Sequence, residues 1–237
     1  MVVAIPARDE AGSIRACIRS VDQAAAEVAV PVLVVVAADS CMDDTFAVAR
    51  STPTEFCELA VIEGAWGRAG ATRAVAVQYG LDIVPADSGS VWISNTDADC
   101  LVPPLWLRVQ LELAIESDVI AGIVELDPES TEPALMDAFT ATYILDGEHH
   151  GHVHGANIGM CGAAYRAVGG WCLKTVVGED HVIWDAMRDV GHRMRQTTQL
   201  RVITSPRTRS RVFGGFATDL DKLGVQPRDL TEVLDVA

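Results

Sequence analysis

Basic residues are scarce in this sequence. Its 237 residues include 18 lysines and arginines against 33 aspartates and glutamates, which gives a formal net charge of −15. Nucleic acid and anionic lipid are both bound through positive surface, so this balance argues against broad electrostatic binding to either partner. An anionic ligand is still possible, because a local arginine cluster or a metal ion can reverse the field of one cleft.

Paired cysteines, a leader and a long apolar run are also missing. The six cysteines form no CxxC pair and lack the spacing of a zinc site, which favours small buried thiols in a reducing compartment. No charged and apolar leader precedes the first strand-like segment. The longest apolar run, VAVPVLVVVAA, is too short to cross a bilayer. We therefore expect a cytoplasmic protein with no integral membrane segment.

Hydrophobic residues are plentiful, at 49% of the chain, and they fall into alternating strand-like and helix-like segments. Apolar runs typical of buried strands lie at 2–5, 32–37, 57–63 and 90–94. Helical patterns fill the gaps between these runs, and the order βαβαβαβ predicts an α/β fold with a doubly wound, mainly parallel sheet flanked by helices. No linker or repeat divides the chain, so we expect a single domain.

The second half of the chain is less regular. Patterns typical of helices lie at 105–117, 132–145 and 179–191, and a strand pattern lies at 118–126. A segment rich in glycine and histidine, DGEHHGHVHGANIGM, follows the second of these helices and shows no clear period. The sequence therefore predicts fewer regular elements in this half than in the first.

Acidic and glycine-rich segments follow the predicted strands. Asp39 follows the second strand, glycines at 64–70 follow the third, and Asp97 with Asp99 follow the fourth. Parallel sheets bind ligands at the carboxyl ends of their strands, so we expect these segments to meet. Two carboxylates one residue apart repel each other, so Asp97 and Asp99 are either solvated turn residues or ligands of a cation.

Six motifs occur in a fixed order over roughly residues 2 to 195. They are AIPARDEAGSIRACIRSV, VVVAADSCMDDT, GRAGATRAVAVQYGL, TDADC, GANIGMCGAAYRAVGGW and GEDHVIWDAMRDVGHRM. Together they resemble the motifs of family 2 glycosyltransferases with the GT-A fold. The resemblance implies a GT-A-type sheet and an inverting, metal-dependent transfer of a sugar from a UDP- or GDP-linked donor.

The resemblance implies a divalent cation, Mg²⁺ or Mn²⁺, as cofactor. It makes Asp99 the direct metal ligand and places Asp97 near the donor ribose or a metal-bound water. These hard cations prefer carboxylate oxygens together with phosphates and waters. A cation bridging the phosphates stabilises the charge that develops on the departing diphosphate.

The resemblance also implies a set of donor contacts. The residues are Pro6, Ala7, Arg8, Glu10, Asp39, Arg68, Arg73, Asp97 and Asn157. Several of them have a structural alternative. Asp39 could cap the next helix, although Asp43 is better placed to do so, and Glu10 could only start a helix. Arg73 could instead form a surface salt bridge.

Glu179 and Asp180 begin a predicted helix. The resemblance assigns both to catalysis and makes Asp180 the general base that takes the proton of the acceptor hydroxyl, a role worth about 10²–10⁴-fold in rate. The structural alternative is a favourable interaction of two acidic side chains with the helix dipole.

Two further clusters are distinctive. Four histidines lie within 149–154; they could bind a metal, but the glycine-rich context and the lack of a carboxylate or thiolate at zinc spacing favour an acceptor-side loop. Arg207, Arg209 and Arg211 alternate, so an extended backbone would place them on one side. They favour a lid over the diphosphate, with a solvated basic strand as the alternative.

We expect the glycosyltransferase-like domain to cover 1–224, with a nucleotide-binding half at 1–100, an acceptor-side half at 101–224 and a tail at 225–237. The donor would be a UDP- or GDP-sugar, the acceptor a small soluble molecule, and a homodimer is possible. We expect no nucleic-acid partner. The alternative function is a non-catalytic protein of the same fold that binds nucleotide sugars or glycans.

Overall fold

A mixed eight-stranded sheet lies at the centre of the fold. The computed structural model describes residues 1–84, 90–143, 145–206 and 223. The strands in this part of the chain are β1 (Val2–Ala7), β2 (Leu33–Asp39), β3 (Glu58–Gly64), β4 (Trp92–Asn95), β5 (Cys100–Leu101), β6 (Val119–Leu126), β7 (Leu145–Asp146), β8 (His149–His150), β9 (Ile158–Cys161) and β10 (Met194–Thr204). All but β7 and β8, which pair only with each other, belong to the large sheet.

Seven α-helices accompany these strands in the described residues. They are α1 (Ile14–Ala25), α2 (Thr45–Arg50), α3 (Ala69–Ile83), α4 (Trp106–Leu113), α5 (Pro133–Thr140), α6 (Gly162–Ala167) and α7 (Glu179–Asp189). None of these helices has the length and apolar character needed to cross a membrane. The predicted tail at 225–237 lies outside the described residues, and so do the predicted lid residues Arg207, Arg209 and Arg211.

The first half of the chain forms the parallel part of the sheet. Its strands stand in the order β3-β2-β1-β4, and each neighbouring pair is parallel. The four strands and the intervening helices α1, α2 and α3 lie where the apolar runs predict them. The α/β architecture with a mainly parallel sheet flanked by helices is therefore confirmed.

The second half adds strands that the sequence analysis missed. β9 lies antiparallel between β4 and β6, and β10 runs parallel to β6 and antiparallel to β5. β9 is only four residues long and contains Gly159, where an added Cβ would lie 2.3 Å from Gln110 Oε1. β10 contains five consecutive polar residues at 195–199 and has an irregular register between Gln196 and Arg201. Both features obscure the strand pattern in the sequence.

Two apolar cores cover the two faces of the sheet. Val3 and Ile5 of β1 point to one face, where they meet α1 and α4, while Val2 and Ala4 point to the other, where they meet α3 and α7. Successive residues of a strand face opposite sides, so β1 is fully apolar because both its faces are covered. This packing fixes β1 in the middle of the parallel part of the sheet.

A buried carboxylate ties the end of α1 to the segment before β3. Asp22 Oδ1 accepts hydrogen bonds from the amides of Glu55, Phe56 and Cys57, at 3.1, 2.9 and 3.0 Å. Burial alone raises the pKa of Asp22, but these amide donors outweigh it and hold the pKa below its ordinary value. The loop at 53–57 thus depends on the charge of Asp22.

We predict that Asp22→Asn lowers the free energy of unfolding by about 1–3 kcal/mol at pH 7, because it removes the charge that strengthens these hydrogen bonds and replaces one acceptor oxygen by an NH₂ group. The lowered pKa of Asp22 means that its contribution is present above the unfolded value of about 4 and is lost as the pH falls below it. Urea unfolding between pH 3 and pH 7 measures this difference. Asp44→Asn is the control, since Asp44 is exposed and makes no capping bond. A difference that persists undiminished at pH 3 would contradict the role of the charge.

Candidate active site

A cleft of about 510 Å³ opens at the carboxyl ends of β1, β2 and β4. It contains most of the side chains that the sequence analysis singles out. Those that line it are Pro6, Ala7, Arg8, Glu10, Asp39, Arg68, Arg73, Asp97, Asp99, Glu179 and Asp180. They come from sequence positions up to 174 residues apart, from 6 to 180. The topology brings them together as the strand order predicts.

The guanidinium of Arg73 lies at the centre of the cleft wall. Arg73 belongs to α3 and is 3% exposed. Its Nη2 donates to Asp97 Oδ1 at 2.5 Å, and its Nη1 donates to Glu179 Oε1. Arg73 thus joins the turn after β4 to the beginning of α7. The alternative of a surface salt bridge is wrong, because this ion pair is buried.

Burial and charge act on Arg73 in opposite directions. Removal from water lowers its pKa, but the negative charges of Asp97, Glu179 and Asp180 outweigh the burial and raise the pKa above its ordinary value. The guanidinium is therefore charged at every pH at which the protein is folded. Breaking one side of such a buried network leaves a charge without its partner, which is more costly than losing a surface ion pair.

The Arg73 guanidinium packs against two further residues, Trp171 and Gly155. Its Cζ lies 5.4 Å from the centroid of the Trp171 ring, a cation–π contact. Gly155 is in close contact as well: a Cβ added there would lie 2.7 Å from Arg73 Cζ. The glycine is required because the guanidinium occupies the space that a side chain would need.

Glu179 and Asp180 have different environments, although they are neighbours at the beginning of α7. Glu179 pairs with Arg73 and is 9% exposed. Asp180 makes no ion pair within the described residues; its Oδ2 accepts from the amide of Gly155 at 3.0 Å and its Oδ1 from its own neighbour His181. The arrangement makes Glu179 a positioning residue and leaves Asp180 the more available carboxylate.

Asp39 organises the glycine-rich turn between β3 and α3. Its carboxylate accepts hydrogen bonds from the amides of Trp66 and Gly67 at 2.7–3.0 Å and from the hydroxyl of Thr72 at 3.2 Å. The alternative role of Asp39 as a cap of α2 is wrong. Asp43 fills that role, since it accepts the amide of Thr45 at 2.9 Å.

The residues after β1 combine a helix start with cleft lining. The Glu10 carboxylate accepts a hydrogen bond from Ser13 Oγ at 2.7 Å, just before α1, and the Glu10 amide donates to Thr45 Oγ1 at 2.6 Å. Glu10 therefore stabilises the turn that precedes α1, in agreement with the structural alternative for this residue. Its 8% exposed side chain still lines the cleft beside Arg8.

Asp97 and Asp99 form the acidic rim of the cleft. Asp97 Oδ1 is held by Arg73, whereas Asp97 Oδ2 makes no hydrogen bond within the described residues, and the Asp97 side chain is 35% exposed. Six carboxylates line the cleft: Glu10, Asp39, Asp97, Asp99, Glu179 and Asp180. Arg8, Arg68 and Arg73 supply only three positive charges against them among the described residues. This excess of carboxylate oxygens fits a hard divalent cation.

Asn157 lies outside the cleft. Its Nδ2 donates to the carbonyls of Ile123 and Leu200 at 2.8 and 3.0 Å, and its Oδ1 accepts from Trp106 Nε1 at 2.9 Å. With these bonds and 1% exposure, the side chain is part of the core. The placement corrects the donor contact expected for Asn157: its amide ties β6 to β10.

Part of the histidine segment lines the cleft, and its rings are held by hydrogen bonds. His150 Nε2 lies 3.2 Å from the carbonyl of Ala121, and His154 Nε2 lies 2.8 Å from Tyr143 Oη. His152 and His154 line the cleft, which agrees with an acceptor-side loop. The sequence analysis did not single out Tyr143. The only sign of its role in the sequence is its position near the end of a helical pattern.

One group within the described ranges has the spacing of metal ligands, namely Asp9, Cys41 and Asp43. It lies beside the cleft, but hydrogen bonding already explains both carboxylates. Asp9 Oδ1 accepts the amide of Met42 at 2.6 Å, and Asp43 Oδ2 accepts the amide of Ala11 at 3.1 Å. The group therefore holds together the loops after β1 and β2.

The sequence matches the profile of Glycosyl transferase family 2 over residues 2–168. The chain therefore belongs to family 2 of the glycosyltransferases. The matched range includes β1 to β4 and the Asp97–Asp99 turn, and it ends before α7. None of the curated proteins compared with this chain matches it in sequence at a significant level.

Solved structures share the fold at low sequence identity. S. aureus TarS 1-349 in complex with UDP-GlcNAc is 15% identical, with a TM-score of 0.61 over 88% of this chain and 59% of that one. The mannosyltransferase PcManGT from Pyrobaculum calidifontis, in complex with GDP-Man and Mn²⁺, is 19% identical, with a TM-score of 0.61 over 88% and 57%.

A third similar structure is glucosyl-3-phosphoglycerate synthase from Mycobacterium tuberculosis, in complex with Mn²⁺, UDP and phosphoglyceric acid. It is 15% identical, with a TM-score of 0.54 over 94% of this chain and 72% of that one. The predicted GT-A-type fold is thereby confirmed. This chain spans about 60% of the length of the TarS and PcManGT chains, which contain further residues without a counterpart here.

We predict that Gly155→Ala lowers the free energy of unfolding by about 1–3 kcal/mol, because the new Cβ displaces the buried Arg73 guanidinium. Gly151→Ala is the matched control in the same loop: it lines the same cleft, and nothing lies within 4 Å of its added Cβ. Urea unfolding of both variants measures the difference. Equal stability of the two variants would show that Arg73 does not need the space at Gly155.

Proposed function

We propose that the chain is an inverting glycosyltransferase that moves a sugar from a UDP- or GDP-linked donor to a hydroxyl acceptor. The observation that carries the proposal is the meeting of Asp97, Glu179 and Asp180 around the buried Arg73 in one cleft of a family 2 chain. The turn proposed to bind the donor and the proposed base would then line the same cleft. A cytoplasmic location, a soluble acceptor and a homodimer stay predictions from the sequence.

The nucleotide would bind against the ends of β1 and β2. Pro6 and Ala7 would pack against the base, and Asp39, Arg8 and Glu10 lie within the same part of the cleft. Arg68 lines the cleft at the beginning of α3, where a guanidinium can bind phosphate oxygens. Arg73 Nε supports a ligand contact too, since it is buried and has no hydrogen-bond partner among the described residues.

Asp99 and Asp97 would hold the divalent cation, Mg²⁺ or Mn²⁺. When bound, the cation supplies neutralisation of the negative charge on the departing nucleoside diphosphate. The pairing of Asp97 with Arg73 leaves only one Asp97 oxygen open to the cleft, and the family resemblance makes Asp99 the direct ligand. Two of the similar structures are complexes with Mn²⁺ together with GDP-Man or UDP, which supports this choice for a chain of the same fold.

Asp180 would act as the general base. Its carboxylate is oriented by the amide of Gly155 and is not paired with a cation in the described part of the chain. It can therefore accept the proton of an acceptor hydroxyl as that oxygen attacks the anomeric carbon from the face opposite the diphosphate. Glu179 would support this step indirectly by anchoring the start of α7 to Arg73.

We predict that UDP or GDP raises the melting temperature only when Mg²⁺ or Mn²⁺ is present, and that Asp99→Asn abolishes this metal-dependent rise. Removal of one carboxylate ligand weakens a hard-cation site strongly. A thermal-shift titration of nucleotide with and without metal measures the effect. Asp82→Asn, an exposed change on α3, serves as the control and should behave like the native chain. A full metal-dependent rise in Asp99→Asn would contradict the assignment.

We predict that Asp180→Asn keeps nucleotide binding but lowers the rate of donor turnover by about 10²–10⁴-fold, the usual worth of a general base. Release of UDP or GDP from a panel of nucleotide sugars provides the readout. Asp185→Asn, further along α7 and paired with Arg188 at the surface, is the matched control. Unchanged turnover in Asp180→Asn would remove this residue from the base role. A native chain that binds nucleotide but releases none from any donor would instead be a binding protein.

A further inference from the structure

The cleft has a second half, away from the nucleotide, whose lining is mainly neutral. We call it the acceptor half and define it by Val124, His152, Val153, His154, Val176 and Val177, all of which line the cleft. We propose that it takes an uncharged acceptor whose reactive hydroxyl adjoins an alkyl or aryl group, and that this group packs against Val176 and Val177. The inference rests on the proposed function and names the class of acceptor.

The first argument is the exposure of apolar side chains at this edge. Val176 and Val177 are 53% and 41% exposed although both line the cleft. Leu173, 57% exposed, extends the apolar surface along the same loop. Single exposed hydrophobic residues are ordinary, but three within five positions at the rim of a cleft mark a surface that binds an apolar group.

The second argument is charge. None of the six residues that define the acceptor half is a lysine or an arginine, although Arg68 donates to the Leu173 carbonyl at 3.3 Å from the cleft wall. Asp180 lines the same cleft and makes no ion pair with any described residue. A phosphate or carboxylate on the acceptor would be repelled by Asp180, and the positive charge of Arg73 is already balanced by Asp97 and Glu179. An uncharged acceptor avoids this repulsion.

The third argument is the ring cluster of Tyr143, His152 and His154. The Tyr143 and His152 rings lie 4.1 Å apart, and the His152 and His154 rings lie 5.7 Å apart and nearly parallel. Burial lowers the pKa of His154 to about 4, against the opposing effect of Asp180, so this ring is neutral near pH 7. The Tyr143–His154 hydrogen bond holds the cluster in place. The cluster presents the rings of His152 and His154 to the cleft, with Tyr143 packed against them, and such rings suit an alkyl or aryl group.

A set of three matched probes tests the proposal. They are n-hexyl β-D-glucoside below its micellar concentration, glucose, and glucose 6-phosphate, each titrated into the full chain by calorimetry with UDP and Mn²⁺ present. We expect the hexyl glucoside to bind about tenfold tighter than glucose, the effect of burying roughly two methylene groups. Glucose 6-phosphate should bind no tighter than glucose.

Variants locate the binding surface. The double change Val176→Ser and Val177→Ser should remove the tenfold advantage of the hexyl glucoside. Val190→Ser, a change at an equally exposed valine at the end of α7, should retain it. A melting curve of each variant confirms that it is folded. The affinities of the native chain for the hexyl glucoside and for glucose test the proposal even if a variant does not fold.

Two outcomes would overturn the proposal. One is tighter binding of glucose 6-phosphate than of glucose, which would indicate an anionic acceptor. The other is equal affinity for glucose and its hexyl glycoside, or an advantage that survives the double valine change. The thermal-shift titration with nucleotide and metal is scored separately, so a chain that fails there but still prefers the hexyl glycoside would contradict the glycosyltransferase function alone.

Discussion

The buried ion pairs of Arg73 are the interaction on which the rest of the site depends. One guanidinium on α3 holds Asp97, from the turn after β4, and Glu179, from the beginning of α7. Because Arg73 is 3% exposed, the loss of either carboxylate would leave part of its buried positive charge without a partner. The distance between the donor side and the candidate base is therefore set by a single side chain. Gly155 and Trp171 both pack against this guanidinium and help to fix its position.

This arrangement divides the acidic residues of the cleft into those engaged by structural partners and those left available to a ligand. Asp39 is bonded to the turn at Trp66 and Gly67, and Glu179 is bonded to Arg73, so both carboxylates have structural partners. Asp180 accepts only backbone amides among the described residues, and Asp97 keeps one oxygen open to the cleft. Residues of the same charge in one cleft thus differ in chemistry because their hydrogen-bond partners differ.

Much of this could be predicted from the sequence, and the exceptions have physical causes. The apolar runs of β1 to β4 are strong patterns because both their faces are covered, so the parallel half of the sheet and its carboxyl-end cleft follow from them. β9 and β10 were missed because one is short and contains a glycine, and the other is half polar. Asn157 was misplaced because its contacts come from both β6 and β10, and Tyr143 was missed because its contacts come from β6 and the histidine segment; sequence spacing specifies neither set.

The central claim is that the Asp97–Asp99 turn binds a cation together with a nucleoside diphosphate in this cleft. A crystal of the chain grown with Mn²⁺ and UDP or GDP tests it most directly, because manganese is identified by its anomalous scattering. The account predicts an anomalous peak at about 2.2 Å from an Asp99 oxygen and in contact with the diphosphate, while Arg73 still pairs with Glu179. A bound nucleotide with the turn free of metal and facing solvent would contradict it.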